Sequence, residues 1–142
     1  MAAKRRLMTD AETMARIRKG LAARCPRLRA ESVDALAALG DVRGLLLALG
    51  SHDPHVRLSA VRGLASESGI RVTSRLLCRV ADRDGQVRSA TASALGRRAG
   101  CLSALALWWL AYDRDAAVSY TALAGLAERN WRRAQSILEE RG

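Results

Sequence analysis

With 142 residues and 49% apolar content, the chain has room for one domain with a continuous core, built on Leu, Val and Ala because Phe is absent and Tyr and Trp number two and three. The longest apolar run, Leu102 to Ala111 broken by Ser103, falls far short of the ~20 residues that cross a bilayer, and MAAKRRLM lacks the apolar stretch of a signal peptide. Membrane insertion and secretion are therefore not expected; the cytoplasm is the expected address, with Cys25, Cys78 and Cys101 as reduced, partly buried thiols.

Charge is unevenly placed. Lysine and arginine total 24 against 14 acidic residues, a net +10. Much of the excess sits in the first 29 residues, where Lys4, Arg5, Arg6, Arg16, Arg18, Lys19, Arg24, Arg27 and Arg29 face only Asp10 and Glu12. Residues 1–24 read as a basic tail and an N-terminal capping helix. Thr9-Asp-Ala-Glu12 has the capping-box spacing, and Ala11, Met14, Ile17 and Leu21 form a helical stripe.

From Cys25 onward the chain repeats. Asp53, Asp84 and Asp115 stand 31 residues apart and open DPHVRLSAVRGLA, DGQVRSATASALG and DAAVSYTALAGLA. Val56/Val87/Val118, Ala60/Thr91/Ala122, Val61/Ala92/Leu123 and Leu64/Leu95/Leu126 coincide, an apolar set on one helical face. Each leading Asp suits an N-cap and Pro54 the first helical position. Gly69 and Gly100 then hand over to second helices, expected over Ile70–Ala81, Leu102–Tyr112 and Trp131–Glu140. CPRLRAESVDALA, at a shorter spacing of 28, is an earlier copy whose second helix is Asp41–Leu49. The repeats fall at about 25–52, 53–83, 84–114 and 115–142.

The pattern D-P-x-V-R-x-x-A-x-x-x-L resembles the HEAT-like repeats of the phycobilin-lyase type, over residues 25–142. The resemblance implies an all-α fold, a right-handed α-solenoid of about four helical hairpins behind the capping helix. It also implies a ladder in which the Asp and Arg of neighbouring copies pair, here Asp53, Asp84 and Asp115 with Arg29, Arg57 and Arg88. Cys25 replaces the first Asp and Ser119 the last Arg, so the ladder is expected to be incomplete at both ends. The repeat serves many unrelated proteins and implies little about activity.

Two features carry the functional expectation. Arg71, Arg75 and Arg79, spaced by four, fall on one face of a second helix, and Arg43 and Arg133 hold the repeat position of Arg71. Such a row can pair with phosphates or carboxylates, or simply be a solvated face. The segment Leu102–Tyr112 carries no charge, and Trp108 and Trp109 point about 100° apart on a helix. It is either a helix sandwiched in the core or, with Tyr112, an exposed apolar strip of the kind that anchors protein partners. Beside these, His52-Asp-Pro-His55 is too sparse for a metal site.

The histidines share one turn and phosphate-loop glycines are absent, so catalysis is not expected, nor is a cofactor. The expected function is a non-catalytic scaffold that binds an acidic or amphipathic peptide or helix on the concave second-helix face, through Arg43, Arg71, Arg75, Arg79, Arg133, Trp108, Trp109 and Tyr112. The alternative is a nucleic-acid binder using the Arg row and the basic N-terminus. A relation to HEAT-like alkylpurine DNA glycosylases would place Trp109, Asp113 and Arg71 in a basic groove.

Overall fold

The structure, a computed structural model, describes the backbone of residues 2–141 and the side chains of residues 11–133, 135, 136 and 139. Among these residues there are eight helices and no strand, so the chain is all-α. It divides into two compact units, Met1–Leu64 and Ala65–Gly142, with the boundary inside the second sequence repeat.

The first unit holds α1 (Ala2–Gly20), α2 (Pro26–Ala38), α3 (Val42–Ala48) and α4 (Pro54–Leu64). Helix α2 packs against α1, α3 and α4, and α3 against α4. Val33 and Leu36 of α2, Leu45 and Ala48 of α3, and Val56, Ala60, Val61 and Leu64 of α4 are buried. The α4 set is the apolar face that the repeat spacing marks out. Pro26 and Pro54 begin their helices, where a missing N–H costs nothing.

Helix α1 starts at Ala2, so Thr9 lies inside it and not at its head. The run Ala2–Leu7 is made of good helix formers with nothing to break it, and this overrides the local capping-box spacing. The side chains of Lys4, Arg5, Arg6 and Thr9 lie outside the described residues.

One joint recurs in this unit. Arg29 donates from Nη2 and Nε to Asp53 Oδ2, at 2.6 and 3.0 Å. Its Nη1 donates to the carbonyls of Ala23 and Arg24, at 2.8 and 3.0 Å. Arg57 repeats the carbonyl half, donating to Ser51 and His52 at 2.9 and 3.0 Å. A single guanidinium thus satisfies carbonyls of the preceding turn while holding the Asp at the head of the next copy. Asp53 meanwhile accepts from the His55 amide at 2.9 Å, the capping role read from the sequence. A further pair ties α1 down: Arg18 Nε and Nη2 donate to the two oxygens of Asp41, at 2.8 and 2.7 Å.

The second unit holds α5 (Ile70–Leu77), α6 (Gly85–Gly96), α7 (Cys101–Leu110) and α8 (Ala116–Arg141). Helix α6 packs on α5, α7 and α8, and α7 packs on α5 and α8. Its Val87, Thr91, Ala92, Ala94 and Leu95 are fully buried. Asp84 caps it by accepting from the Val87 amide at 3.1 Å, and Asp115 caps α8 by accepting from Ala117 at 2.9 Å.

Helix α8 runs unbroken through Trp131, so the expected separate helix over Trp131–Glu140 does not form. The glycines explain the difference. Gly69 and Gly100 open α5 and α7 at φ 114°, ψ 153° and φ 108°, ψ 154°, a region open essentially to glycine alone. One period further on stands Trp131, which cannot take that conformation, and Glu128, Arg129 and Arg132 around it favour a helix. Replacing Gly69 or Gly100 by Ala should therefore destabilise the protein by about 1–3 kcal/mol, read from the urea midpoint.

The Arg–Asp joint changes partner here. Arg88 Nε and Nη2 donate to Asp113, at 2.7 and 2.9 Å, and not to Asp115, the residue the ladder implies. Its Nη1 donates to the Asp82 carbonyl at 2.8 Å, as Arg29 and Arg57 do to theirs. Asp113 occupies the repeat position held by Ser51 in the earlier copy, where no carboxylate competes with Asp53 for Arg29. Ser119, in the place of the last Arg, reaches only a carbonyl, donating to Ala111 at 2.7 Å. Cys25, in the place of the first Asp, makes no side-chain cap.

Candidate functional site

Helix α7 is apolar on both its inward and its outward side. Ser103, Leu107 and Leu110 are buried, on the face turned to its neighbours. The rest of the helix is equally apolar, with Ala104 and Ala106 half-buried. Leu102, Leu105, Trp108 and Trp109 are more than half exposed, and Tyr112 just beyond the helix is 76% exposed. Trp108 and Tyr112 meet edge to face with ring centroids 5.3 Å apart, which holds both rings upright. Of the two arrangements open from the sequence, the exposed strip is the one found.

Trp108, Trp109 and Tyr112 line a cleft of about 660 Å³ together with Val80 and Ala81, which follow α5. The exposed Arg114, the buried Asp82 and Arg88, and the half-buried Asp113 complete it. Asp113 is fully committed. Both its oxygens accept from Arg88, and Oδ1 also accepts from the Asp115 amide at 2.9 Å. The Arg88 guanidinium, opposed by burial, holds the Asp113 carboxyl below the usual range. Trp109 and Asp113 do share the cleft, but Arg71 is not among its lining residues, so the three-residue groove of the glycosylase comparison is not assembled there.

The arginine row is shorter than its spacing suggests. Arg71 and Arg75 sit on α5, exposed, beside α7. Helix α5 ends at Leu77, so Arg79 lies in the following turn, half-buried, with Nη1 3.4 Å from Asp82 Oδ2. Asp82 follows within an i,i+3 reach and Arg79 bends to it. Arg43 is exposed on α3 in the first unit. Arg133 is exposed on α8 and lines a different pocket, with Gly96, Arg97 and Arg129.

That second pocket holds arginines absent from the sequence-based expectation: Arg97, Arg98, Arg129 and Arg132. Their signal was available as the i, i+3, i+4 spacing of Arg129, Arg132 and Arg133, but a helix break placed before Trp131 separates Arg129 from the other two. Arg132 Nη2 donates to the Gly96 carbonyl at 3.0 Å, and Arg129 donates to the carbonyls of Arg98 and Gly100.

Cys25, Cys78 and Cys101 are exposed and free, contrary to the expected partial burial, because each falls at a helix end and not on an inward face. His52 and His55 are exposed, and among the described residues no three His, Cys, Asp or Glu side chains gather as a metal would require. No described helix is long and apolar enough to cross a membrane.

Arginine partners also set the acid limit of the fold. Asp41, Asp53 and Asp113 titrate below the ordinary carboxylate range, chiefly because Arg18, Arg29 and Arg88 hydrogen-bond to them. Since their folded pKa values lie below the unfolded ones, the unfolded chain takes up protons first. Their contribution is complete above about pH 4 and is lost as pH falls through the lowered values. Circular dichroism should show acid unfolding confined to that range, with a shallower pH dependence in Asp113→Asn.

Compared with known proteins, the chain matches no family model and none of the curated proteins.

Proposed function

We propose that the chain is a non-catalytic interaction module that holds an acidic amphipathic helix or peptide on the outward face of α5 and α7. In this reading the helical pairs stack as a right-handed HEAT-like solenoid with their second helices on the concave side. The 31-residue period and the recurring Arg–carbonyl joint support that stacking.

The observation that carries the function is the uncovered face of α7. Leu102, Leu105, Trp108, Trp109 and Tyr112 together leave more apolar area in water than scattered surface residues do. Trp and Tyr lose little conformational entropy on binding and concentrate contact energy. Arg114 is an exposed cation lining the cleft, and Arg71 and Arg75 are exposed on α5, which packs on α7, while the carboxylates of the cleft, Asp82 and Asp113, are engaged by Arg79 and Arg88. An occupant with leucines on one side and glutamates along its borders complements both properties.

The test is fluorescence anisotropy with a labelled Leu/Glu amphipathic helical peptide and, in parallel, duplex DNA. Saturable peptide binding that survives physiological salt and weakens at least about tenfold in Trp109→Ala is the expected result. Arg75→Glu should weaken it most at low salt, where exposed charges are least screened. Peptide binding indifferent to Trp109→Ala would sink the proposal. So would DNA binding that outlasts peptide binding as salt rises.

A further inference from the structure

The turn Gly96–Gly100 between α6 and α7 is clamped from one side by α8. Arg132 Nη2 donates to the Gly96 carbonyl at 3.0 Å and Arg129 Nη2 to the Gly100 carbonyl at 2.8 Å. Between those two anchor points the turn carries Arg97 and Arg98, and α8 adds Arg133 one helical turn beyond Arg129. All five arginines line one pocket of about 380 Å³, with Asn130.

Like charges converge here, offset by two nearby carboxylates, Glu128 and Glu67, the latter acting on Arg98. Among the described residues lining the pocket none is acidic, and the nearby Glu128 is 3.3 Å from Arg132. The carbonyl end of α6 adds roughly half a negative charge. Against five guanidiniums, two carboxylates and one helix end leave an excess of about two to three positive charges around a single concavity. Repulsion of that kind weakens a fold unless it serves an anion. Burial already works against the charge on Arg98, lowering its pKa, and an anion alongside would relieve it.

The donors suit one chemistry. Arg129 and Arg132 spend part of their N–H groups on carbonyls, which fixes their planes, and keep others for a ligand. Fixed guanidinium forks match phosphate oxygens two at a time. No aromatic side chain is among the described residues lining the pocket, so there is no platform on which a base could stack. We propose that the pocket formed by Arg97, Arg98, Arg129, Arg132 and Arg133 binds a polyphosphate group, recognising its phosphates and not any base attached to them.

The experiment is calorimetric titration of the full chain with tripolyphosphate, against sodium sulfate at matched ionic strength. Saturable tripolyphosphate binding at one site, at least about tenfold tighter than sulfate, is expected. The variants are Arg97→Gln with Arg133→Gln, both exposed side chains, and separately Asn130→Asp, which sets a carboxylate into the pocket. Each should weaken binding at least about tenfold without lowering the unliganded melting temperature, which relief of the repulsion should if anything raise, whereas Trp109→Ala should leave tripolyphosphate binding unchanged. The Trp face and this pocket therefore succeed or fail independently.

Competition with a short oligothymidylate identifies the source. Tighter binding of the oligonucleotide assigns the phosphates to a nucleic-acid backbone, and tighter binding of tripolyphosphate assigns them to a free polyphosphate or nucleotide tail. Equal responses to sulfate and tripolyphosphate, or wild-type affinity in both variants, would overturn the proposal.

Discussion

Arg88→Ala should lower the stability of the protein by about 3–5 kcal/mol, the cost of breaking a buried ion pair from one side. Arg88 is 7% exposed, and its removal strands Asp113 and the carbonyls of Asp82 and Arg83 at once. The Asp113 carboxylate loses both guanidinium bonds and keeps only the Asp115 amide, while the Asp82 carbonyl loses a donor. Small domains hold only about 5–15 kcal/mol in total, so a variant near the lower end would be largely unfolded at 37 °C. The same chemistry in the first unit is wetter: the side chains of Arg29 and Asp53 are 20% and 14% exposed, against 8% and 11% for Arg88 and Asp113. Arg29→Ala should accordingly cost less, about 1–3 kcal/mol. Removing both charges, as Arg88→Met with Asp113→Leu, should recover a large part of the loss, because the penalty comes from the orphaned carboxylate. Urea midpoints of the three variants decide the matter. An Arg29 variant weaker than the Arg88 variant would show that burial does not set the value of this joint.

What could be read from the chain alone follows from what periodicity encodes. The apolar offsets from Val56 and Val87 reported the inward faces of α4 and α6, because burial on one helical face is a local property of spacing; in α8 they held for Val118 and Ala122 but not for Leu123, which is 53% exposed. The caps at Asp84 and Asp115 and the breaks at Gly69 and Gly100 were legible for the same reason: each acts within a few residues. Partner choice is not local. Arg88 takes Asp113 although Asp115 also lies near it, and that competition exists only once α6, α7 and α8 have packed together. The outward aim of both Trp108 and Trp109 was likewise undetermined by a 100° separation, since it depends on what α6 and α8 leave uncovered. The candidate site was thus half visible: Trp108, Trp109 and Tyr112 line one cleft from which Arg71 and Arg75 are absent, and the five-arginine pocket needed α8 to be continuous across Trp131.

Gly125→Val should be among the most damaging substitutions in the second unit, while Gly125→Ala should be close to neutral. Helices α6 and α8 cross at Gly96 and Gly125, where neither residue has a side chain to separate them. A Cβ on Gly125 would sit 3.3 Å from Gly96 Cα and 3.5 Å from the Leu107 methyls. For alanine that is a strain of a few tenths of an ångström, offset by the roughly 1 kcal/mol that alanine gains over glycine inside a helix. Valine adds two methyl groups aimed at backbone, which cannot rotate aside as a side chain can. The helices must then part, and Leu95, Val118 and Ala122, all fully buried, lose contacts. The expected loss is about 3 kcal/mol. Gly96→Val should behave alike, its Cβ lying 3.1 Å from Gly125 Cα. The consequence reaches the binding face: Leu107, against which Gly125 packs, is on the buried side of the helix that displays Trp108 and Trp109. Gly125→Val should therefore weaken capture of an amphipathic peptide without altering any residue on that face, and Gly125→Ala should preserve it. Equal peptide affinity in both variants, with the valine variant destabilised, would show that the Trp face holds its shape independently of the α6–α8 crossing.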